Sequence, residues 1–241
     1  MQLIVLSAGK GSRLPNKFRK KPKCLVELNS KPLLTYNEDF FAQFKKKIII
    51  TGYKQGELKK FATKLKFTCI SNTKYRSTNM VYSLFLTKKL IQDDVVIVYG
   101  DVVFDKMIYS LLIKSNNILP VNINWFKNWK KRMSLPKILK DAENLVIKND
   151  YLTEIGTKIE KNNFPNFQFM GILKLKKESY MNCYNFFKKI KNNKIDMTSF
   201  LNLCVKKKIL SIKIEKYKKY WYEIDTISDY KFAQQELKKI I

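Results

Sequence analysis

Through the first half of the chain, short apolar runs alternate with segments of helical spacing. Leu3-Ile4-Val5-Leu6, Ile48-Ile49-Ile50, Phe67 to Ser71 and Val95 to Tyr99 form the runs. Apolar residues that are continuous rather than alternating mark strands buried on both faces. Leu33 to Phe44, Gln55 to Leu65 and Met80 to Ile91 carry the spacing of helices between them. This alternation predicts an α/β fold with a doubly wound, mostly parallel central sheet. Beyond residue 118 the strands shorten, to Ile118–Ile123, Leu145–Lys148, Tyr151–Ile155 and Phe167–Leu175. Helices over Glu178–Ile190 and Thr198–Lys207 follow, then a strand over Ile209–Ile214 and a last helix from Ser228. No Pro/Gly linker and no repeat divides the chain. The expectation is one domain over 1–241, with a nucleotide-binding half over 1–117 and a small β-rich elaboration over 118–241 on the same sheet.

Composition narrows the chemistry. The chain has 241 residues and no histidine, which removes Ser-His and Cys-His nucleophiles and most zinc sites. The four cysteines are widely spaced, without a CxxC, and read as reduced thiols of a cytoplasmic protein. No run approaches the ~18 to 20 apolar residues of a membrane span. The opening apolar stretch, only about seven residues long, lacks the basic flank of a signal peptide. The formal net charge is +28. The lysines are spread along the whole chain, however, in groups such as Lys45-Lys46-Lys47 and Lys206-Lys207-Lys208. Lys, Asn, Ile, Tyr and Phe all have A/T-rich codons, so a biased genome accounts for the surplus more simply than a nucleic-acid partner does. An anionic surface partner stays open as the alternative, and anionic small substrates are attracted in either case.

Two of only seven glycines fall in "LSAGKGSRL", directly after the first strand. There, backbone N–H groups can wrap a phosphate. The P-loop pattern GxxxxGK[ST] is absent. A dinucleotide loop would need a glycine where Leu14 stands. What remains is Gly9-x-Gly11-x-Arg13 followed by Pro22-Lys23. A tight strand-to-helix turn with incidental glycines is the plainer alternative on this stretch alone.

The stretch "LSAGKGSRLPNKFRKKPKCLVELNSKPLL" resembles the signature of the nucleotidylyltransferase superfamily, with Ser7 in place of the usual first alanine. The family's P-L-T stretch before P-K is missing around Asn16 to Lys20. The resemblance implies that Ser7, Ala8, Gly9, Gly11 and Ser12 close over the triphosphate of an NTP, with Arg13 and Lys23 stabilising phosphate charge. "VVIVYGDVVFD" places Asp101 just past a buried strand, in the crevice where α/β folds bind ligands. "YWYEIDTISDY" places Asp225 after another apolar strand. Read alone, Asp101 could belong to a turn and Asp225 could cap the helix near Ser228. In the resembled family, aspartates at these places hold one Mg2+ against the α-phosphate. Mg2+ takes hard oxygen ligands and neutralises charge where one anion attacks another. Asp105 is assigned no role.

Further along, "STNMVYSL", "KDAENLVI", "EIGTK", "FQFMGI" and "DMTSFL" are similar to cytidylyltransferases of small head groups, those acting on phosphocholine, phosphoglutamine and 2-aminoethylphosphonate. By that resemblance Thr78 and Asn79, at a helix N-terminus, meet the pyrimidine or ribose. Lys158 grips the acceptor phosphate and Gly171 lets backbone approach the acceptor. Asp141 and Glu143 pair with an acceptor amine, or alternatively form surface ion pairs with Arg132 or nearby lysines. Trp125, Trp129, Trp221 and Tyr222 line the acceptor pocket, or belong to the core or to a dimer contact. The implied protein is a Mg2+-dependent enzyme whose partners are CTP and a small phosphorylated or phosphonate acceptor. No nucleic acid or membrane insertion is expected, and a homodimer is left open. A hexose-1-phosphate nucleotidylyltransferase is the rival reading, and a non-catalytic basic binding module on the same fold is the other.

Overall fold

A computed structural model of the chain describes residues 1–159 and 164–240. In the first half lie the strands β1 (Gln2–Ser7), β2 (Glu27–Leu28), β3 (Lys31–Pro32), β4 (Lys46–Thr51), β5 (Thr68–Ser71) and β6 (Val95–Tyr99). β2 and β3 form a short separate hairpin. The others run parallel in the order β5-β4-β1-β6. Both faces of β1 are covered: Leu3 and Val5 pack into one apolar layer, Ile4 and Leu6 into the other. That is why the run is continuously apolar.

Of the connecting helices, α2 (Gln55–Lys64, with Leu65 as its C-cap) matches the predicted span, whereas α1 (Glu38–Phe41) and α3 (Met80–Phe85) are shorter than the periodicity predicts. Leu33–Asn37 forms a 3-10 turn before α1. Asn37, 3% exposed, donates to the Val102 carbonyl at 2.8 Å and accepts from Phe104 N, so it is held to a neighbouring strand. After α3, the buried Thr87 hydroxyl donates back to the Leu84 carbonyl, and the helix gives way to a 3-10 turn over Lys88–Leu90.

The rest of the chain contains β7 (Val102–Phe104), β8 (Ile118–Asn122), β9 (Asn144–Lys148), β10 (Tyr151–Thr157), β11 (Gln168–Phe169), β12 (Ile172–Leu175), β13 (Lys213–Tyr217) and β14 (Trp221–Glu223). Its helices are α4 (Tyr109–Leu112), α5 (Trp125–Lys130), α6 (Leu135–Asp141), α7 (Lys177–Ile190), α8 (Met197–Lys206) and α9 (Ile227–Leu237). β12 enters antiparallel between β6 and β8, β13 lies parallel to β8, and β10 and β9 close the far edge antiparallel. The result is one mixed sheet running through both halves. β7 and β14 pair separately beyond it. Among the described residues no helix is long and apolar enough to cross a membrane.

The sequence pattern misplaces several elements. Helices α5 and α6 were not expected, although the i, i+4 pair Trp125 and Trp129 forms the buried face of α5. The strand expected at Ile209–Ile214 lies at β13 instead. Ile209 and Leu210 both donate their N–H to the Cys204 carbonyl, so these apolar residues finish α8. The run Phe167–Leu175 breaks between β11 and β12 at Gly171, whose φ is +70°. A Cβ there would lie 2.8 Å from the Tyr99 ring. Gly171→Ala should therefore destabilise the fold by about 2 kcal/mol or more, from left-handed strain plus overpacking. A urea midpoint equal to that of the parent would show that the Tyr99 ring yields at no cost.

Candidate active site

The C-terminal ends of β1 and β6 approach each other closely. Gly100 N donates to the Leu6 carbonyl at 2.9 Å, and a Cβ on Gly100 would lie 1.9 Å from Ser7 Oγ. Only glycine fits there, and Asp101 follows at the strand end. The loop after β1 is anchored by Tyr53 N donating to Ala8 O, and it turns back where Leu14 N donates to Gly11 O. Gly11 has φ +64°, and a Cβ on it would crowd the Lys23 side chain at 3.2 Å. At Gly9 a Cβ would meet nothing within 4 Å, so the absent side chain leaves backbone open to the cleft.

Residues far apart in sequence meet at this edge. Lys23 Nζ donates to Asp101 Oδ2 at 2.7 Å and also to Asp225 Oδ1. The other Asp225 oxygen takes the Arg13 guanidinium at 2.5 Å. Arg13 also reaches Asp141 at 3.5 Å. Asp225 is free for this because Thr226, with Asp229 in a capping box, caps α9. Sequence reasoning overlooked Glu223, whose carboxylate lies with those of Asp101 and Asp225 within 4.8 Å. The signal was present: Glu223 and Asp225 are alternate residues at a strand end, and such residues face one side.

Charge divides unequally here. Burial pushes the Lys23 ammonium down, but Asp101 and Asp225 outweigh it and hold it above its ordinary value. Burial pushes Asp225 up, and Lys23 and Arg13 reverse that to a net lowering. Burial, with Asp225 and Asp101 beside it, drives Glu223 well above the usual carboxylate range. Glu223 therefore holds its proton more tightly than an ordinary carboxylate, whereas Asp225 favours its charged form. Asp101 Oδ1 is buried without a hydrogen-bond partner. An orphaned carboxylate oxygen among hard oxygen donors fits a divalent cation such as Mg2+.

Two cavities meet at Arg13 and Asp225. The first, ≈ 350 Å³, is lined by every residue expected to meet the nucleotide, from Ser7 to Asp101. Asn79 accepts from Met80 N and so caps α3, while Thr78 donates to the Lys74 carbonyl and accepts from the buried Asn72 amide. The second, ≈ 230 Å³, is lined by Asp141, Glu143 and Gly171 as expected, and by Asp196, Trp129 and Trp221. Glu143 accepts from Thr198 Oγ1 at 2.9 Å, and burial raises its pKa. The glycine at 171 answers to its backbone angle and to the Tyr99 ring, whatever occupies the cavity.

Two expected acceptor residues lie elsewhere. Lys158 is exposed in the coil after β10 and is not among the described residues lining either cavity. Tyr222 points to the opposite side of β14 from Trp221 and Glu223, as strand alternation requires. It packs against Phe232 and stacks on Tyr220 in a third apolar cluster. Trp125 is likewise core, its indole N–H donating to the Pro165 carbonyl. Arg132 pairs with Asp229, not with Asp141 or Glu143.

The fold is that of nucleotidyltransferases. The CTP:phosphocholine cytidylyltransferase of Streptococcus pneumoniae superposes with a TM-score of 0.76 at 21% identity, covering 98% of each chain. The inositol-1-phosphate CTP transferase of T. maritima gives 0.78 at 17%, over 99% of this chain and 96% of that one. The MobA-like NTP transferase domain matches residues 3–132. Over 249 residues the chain is 30% identical to the CTP:phosphoglutamine cytidylyltransferase of Campylobacter jejuni, covering 95% of this chain and 97% of that protein. It is 33% identical over 117 residues to the choline-phosphate cytidylyltransferase of Streptococcus pneumoniae, 48% of this chain and 51% of that one. The chain belongs to the MobA-like NTP transferase family and is a nucleotidyltransferase.

The Glu223 shift sets a pH dependence. A carboxyl whose pKa is raised on folding stabilises the protonated fold below its unfolded pKa, and that contribution is lost as pH rises. Glu223→Gln should therefore leave stability nearly unchanged near pH 4 and raise it progressively toward pH 8. Thermal unfolding of both proteins with chelator present reads this. A Tm difference constant across that range would contradict the raised Glu223 pKa.

Proposed function

We propose that the protein transfers CMP from CTP to a small phosphorylated or phosphonate head group, with phosphoglutamine favoured, then phosphocholine or 2-aminoethylphosphonate. The observation that carries this reading is the end-to-end similarity to a CTP:phosphoglutamine cytidylyltransferase. Two cavities that share Arg13 and Asp225 give it a geometry: a nucleotide in one, an acceptor in the other, and the reacting phosphorus at the junction.

The acceptor's ionised oxygen attacks the α-phosphorus in line. A new O–P bond forms, and the bond to the β-phosphate breaks with its electron pair leaving on pyrophosphate. No protein base is required, because the nucleophile is already an anion at neutral pH, and a histidine-free chain suits such chemistry. Positioning and charge stabilisation carry the rate. Backbone N–H groups from Ser7 to Ser12 cradle the phosphates, Lys23 and Arg13 meet their charge, and Thr78 and Asn79 face the ribose and base. Asp101 and Asp225, with Glu223 beside them, would hold Mg2+, which when bound neutralises charge on the α-phosphate. Arg13, lining both cavities, takes the grip on the acceptor phosphate first given to Lys158. Asp141 and Glu143, with Asp196, suit an acceptor amine. Residues 1–117 thus supply most of the nucleotide half, and 118–241 most of the acceptor half. The product, a CDP-activated head group, would be made in the cytoplasm to decorate a surface polysaccharide or lipid.

A pyrophosphate-release screen of each NTP against phosphoglutamine, phosphocholine, phosphoethanolamine, 2-aminoethylphosphonate and hexose-1-phosphates tests the reading. CTP should exceed UTP, ATP and GTP by at least about tenfold in kcat/KM, roughly 1.4 kcal/mol. Equal use of UTP or dTTP with a hexose phosphate would move the protein to the sugar branch. Asp101→Asn, which removes one charged metal ligand, should lower turnover by about 10²-fold or more. Near-parental turnover of that variant at saturating Mg2+ would overturn the metal assignment.

A further inference from the structure

Behind the carboxylate cluster lies a buried ion pair that the reaction does not touch. Arg132, just past α5, has a side chain 7% exposed and pairs through Nη1 with Asp229 Oδ1, whose side chain is 3% exposed. Burying two such ions costs several kcal/mol each, and a pair of this kind is often no more stabilising than an apolar pair of similar size. Stability alone therefore gives little reason for it. Burial lowers the guanidinium pKa to about 10, so Arg132 stays charged at neutral pH.

The other Asp229 oxygen accepts two backbone N–H groups, from Asp225 at 3.0 Å and from Thr226 at 2.7 Å. Asp229 thus holds the main chain of the carboxylate that stands between the two cavities, and Arg132 holds Asp229. At its other side the Arg132 guanidinium lies 5.0 Å from the centroid of the Trp129 ring. Trp129 lines the second cavity. A single buried side chain therefore touches both an acceptor-side wall and the clamp on Asp225.

We propose that Arg132 is a positioning residue for the transfer reaction, setting Asp225 through Asp229. The inference rests on the proposed function for its catalytic consequence, and on geometry alone for the clamp. With Asp229 oriented, its Oδ2 faces the Asp225 and Thr226 amides, and the Asp225 carboxylate is fixed between Lys23 and Arg13. Without the guanidinium, Asp229 is left as a buried unpaired charge that must turn or take a proton, and either change loosens those amides.

The test uses Arg132→Met and Asp229→Asn, with Arg132→Lys as the conservative variant, in the full chain. Amide hydrogen exchange reads the clamp without any substrate. Arg132→Met should speed exchange at Asp225 and Thr226 by at least about tenfold while β1 amides keep their protection. In the same protein kcat should fall at least about tenfold, with the CTP KM changed less than about threefold. Arg132→Lys should recover part of both, and added guanidinium should partly rescue Arg132→Met. If Arg132→Met does not fold, Arg132→Lys and Asp229→Asn give the same two readings. Unchanged exchange at Asp225 and Thr226 would overturn the clamp. Faster exchange with unchanged kcat would overturn its role in the reaction. A parent protein that releases no pyrophosphate from CTP with any acceptor fails the functional reading instead, and the exchange result still decides the clamp.

Discussion

Everything at the working edge of this molecule depends on Lys23 lying between Asp101 and Asp225. The contact joins the loop after β1, the end of β6 and the end of β14, three segments that the chain brings together from its beginning, middle and end. Burying an ammonium and two carboxylates costs free energy that only close mutual pairing offsets. Small residues let that pairing form. Gly11 leaves room for the Lys23 side chain, and Gly100 lets β6 close on Ser7 so that Asp101 emerges at the right depth. Arg13 adds a second cation on Asp225, and burial with the neighbouring aspartates makes Glu223 hold its proton more tightly.

Asp225 is where the two cavities become one site. It borders both cavities, and its side chain is held by Lys23 and Arg13 while its backbone is held by Asp229. The long insertion between β6 and β14 makes this geometry. It lays β12 against β6 in the central sheet and carries α5 and α6 to the wall of the second cavity. The two halves share one sheet as well as a cleft, so the position of the second cavity's wall is tied to the strands that carry the glycine loop.

The distribution of charge has two scales. The chain as a whole is strongly cationic, formally +28, and such a field draws small anions toward any cleft. Locally, the second cavity collects Asp141, Glu143, Asp196, Glu223 and Asp225 against Arg13, the one cation among its described lining residues. The first cavity presents lysine, arginine and open backbone N–H groups, whereas the second presents carboxylates and indoles. Under the proposed function, that contrast suits an acceptor with a phosphate at one end and an amine at the other.

How much of this could be read along the chain follows from the range of the interactions involved. The buried parallel strands, the glycine loop and the acidic strand ends were legible, because continuous apolar runs and the motif of Gly9, Gly11, Arg13 and Lys23 are local patterns. Thr78 and Asn79 line the first cavity, where a local signal, a helix N-terminus, had pointed. The lengths of α1 and α3 were not legible, because Asn37 and Thr87 end or delay helices through bonds to carbonyls and amides that periodicity does not register. Lys158 and Tyr222 lie away from both cavities, for different reasons. Lys158 leaves the sheet at the end of β10, and Tyr222 takes the opposite face of β14 from its neighbours, a matter of strand register that composition cannot reveal. The sequence by itself determined the chemistry available: a glycine loop after the first strand, two cations, metal-capable carboxylates and no histidine. Only the tertiary structure decided which of those groups share a dielectric and a distance. Glu223 joins the aspartates, Arg132 backs Asp229, and Lys158 stays in water, because side-chain electrostatics act through space and the fold alone sets that space.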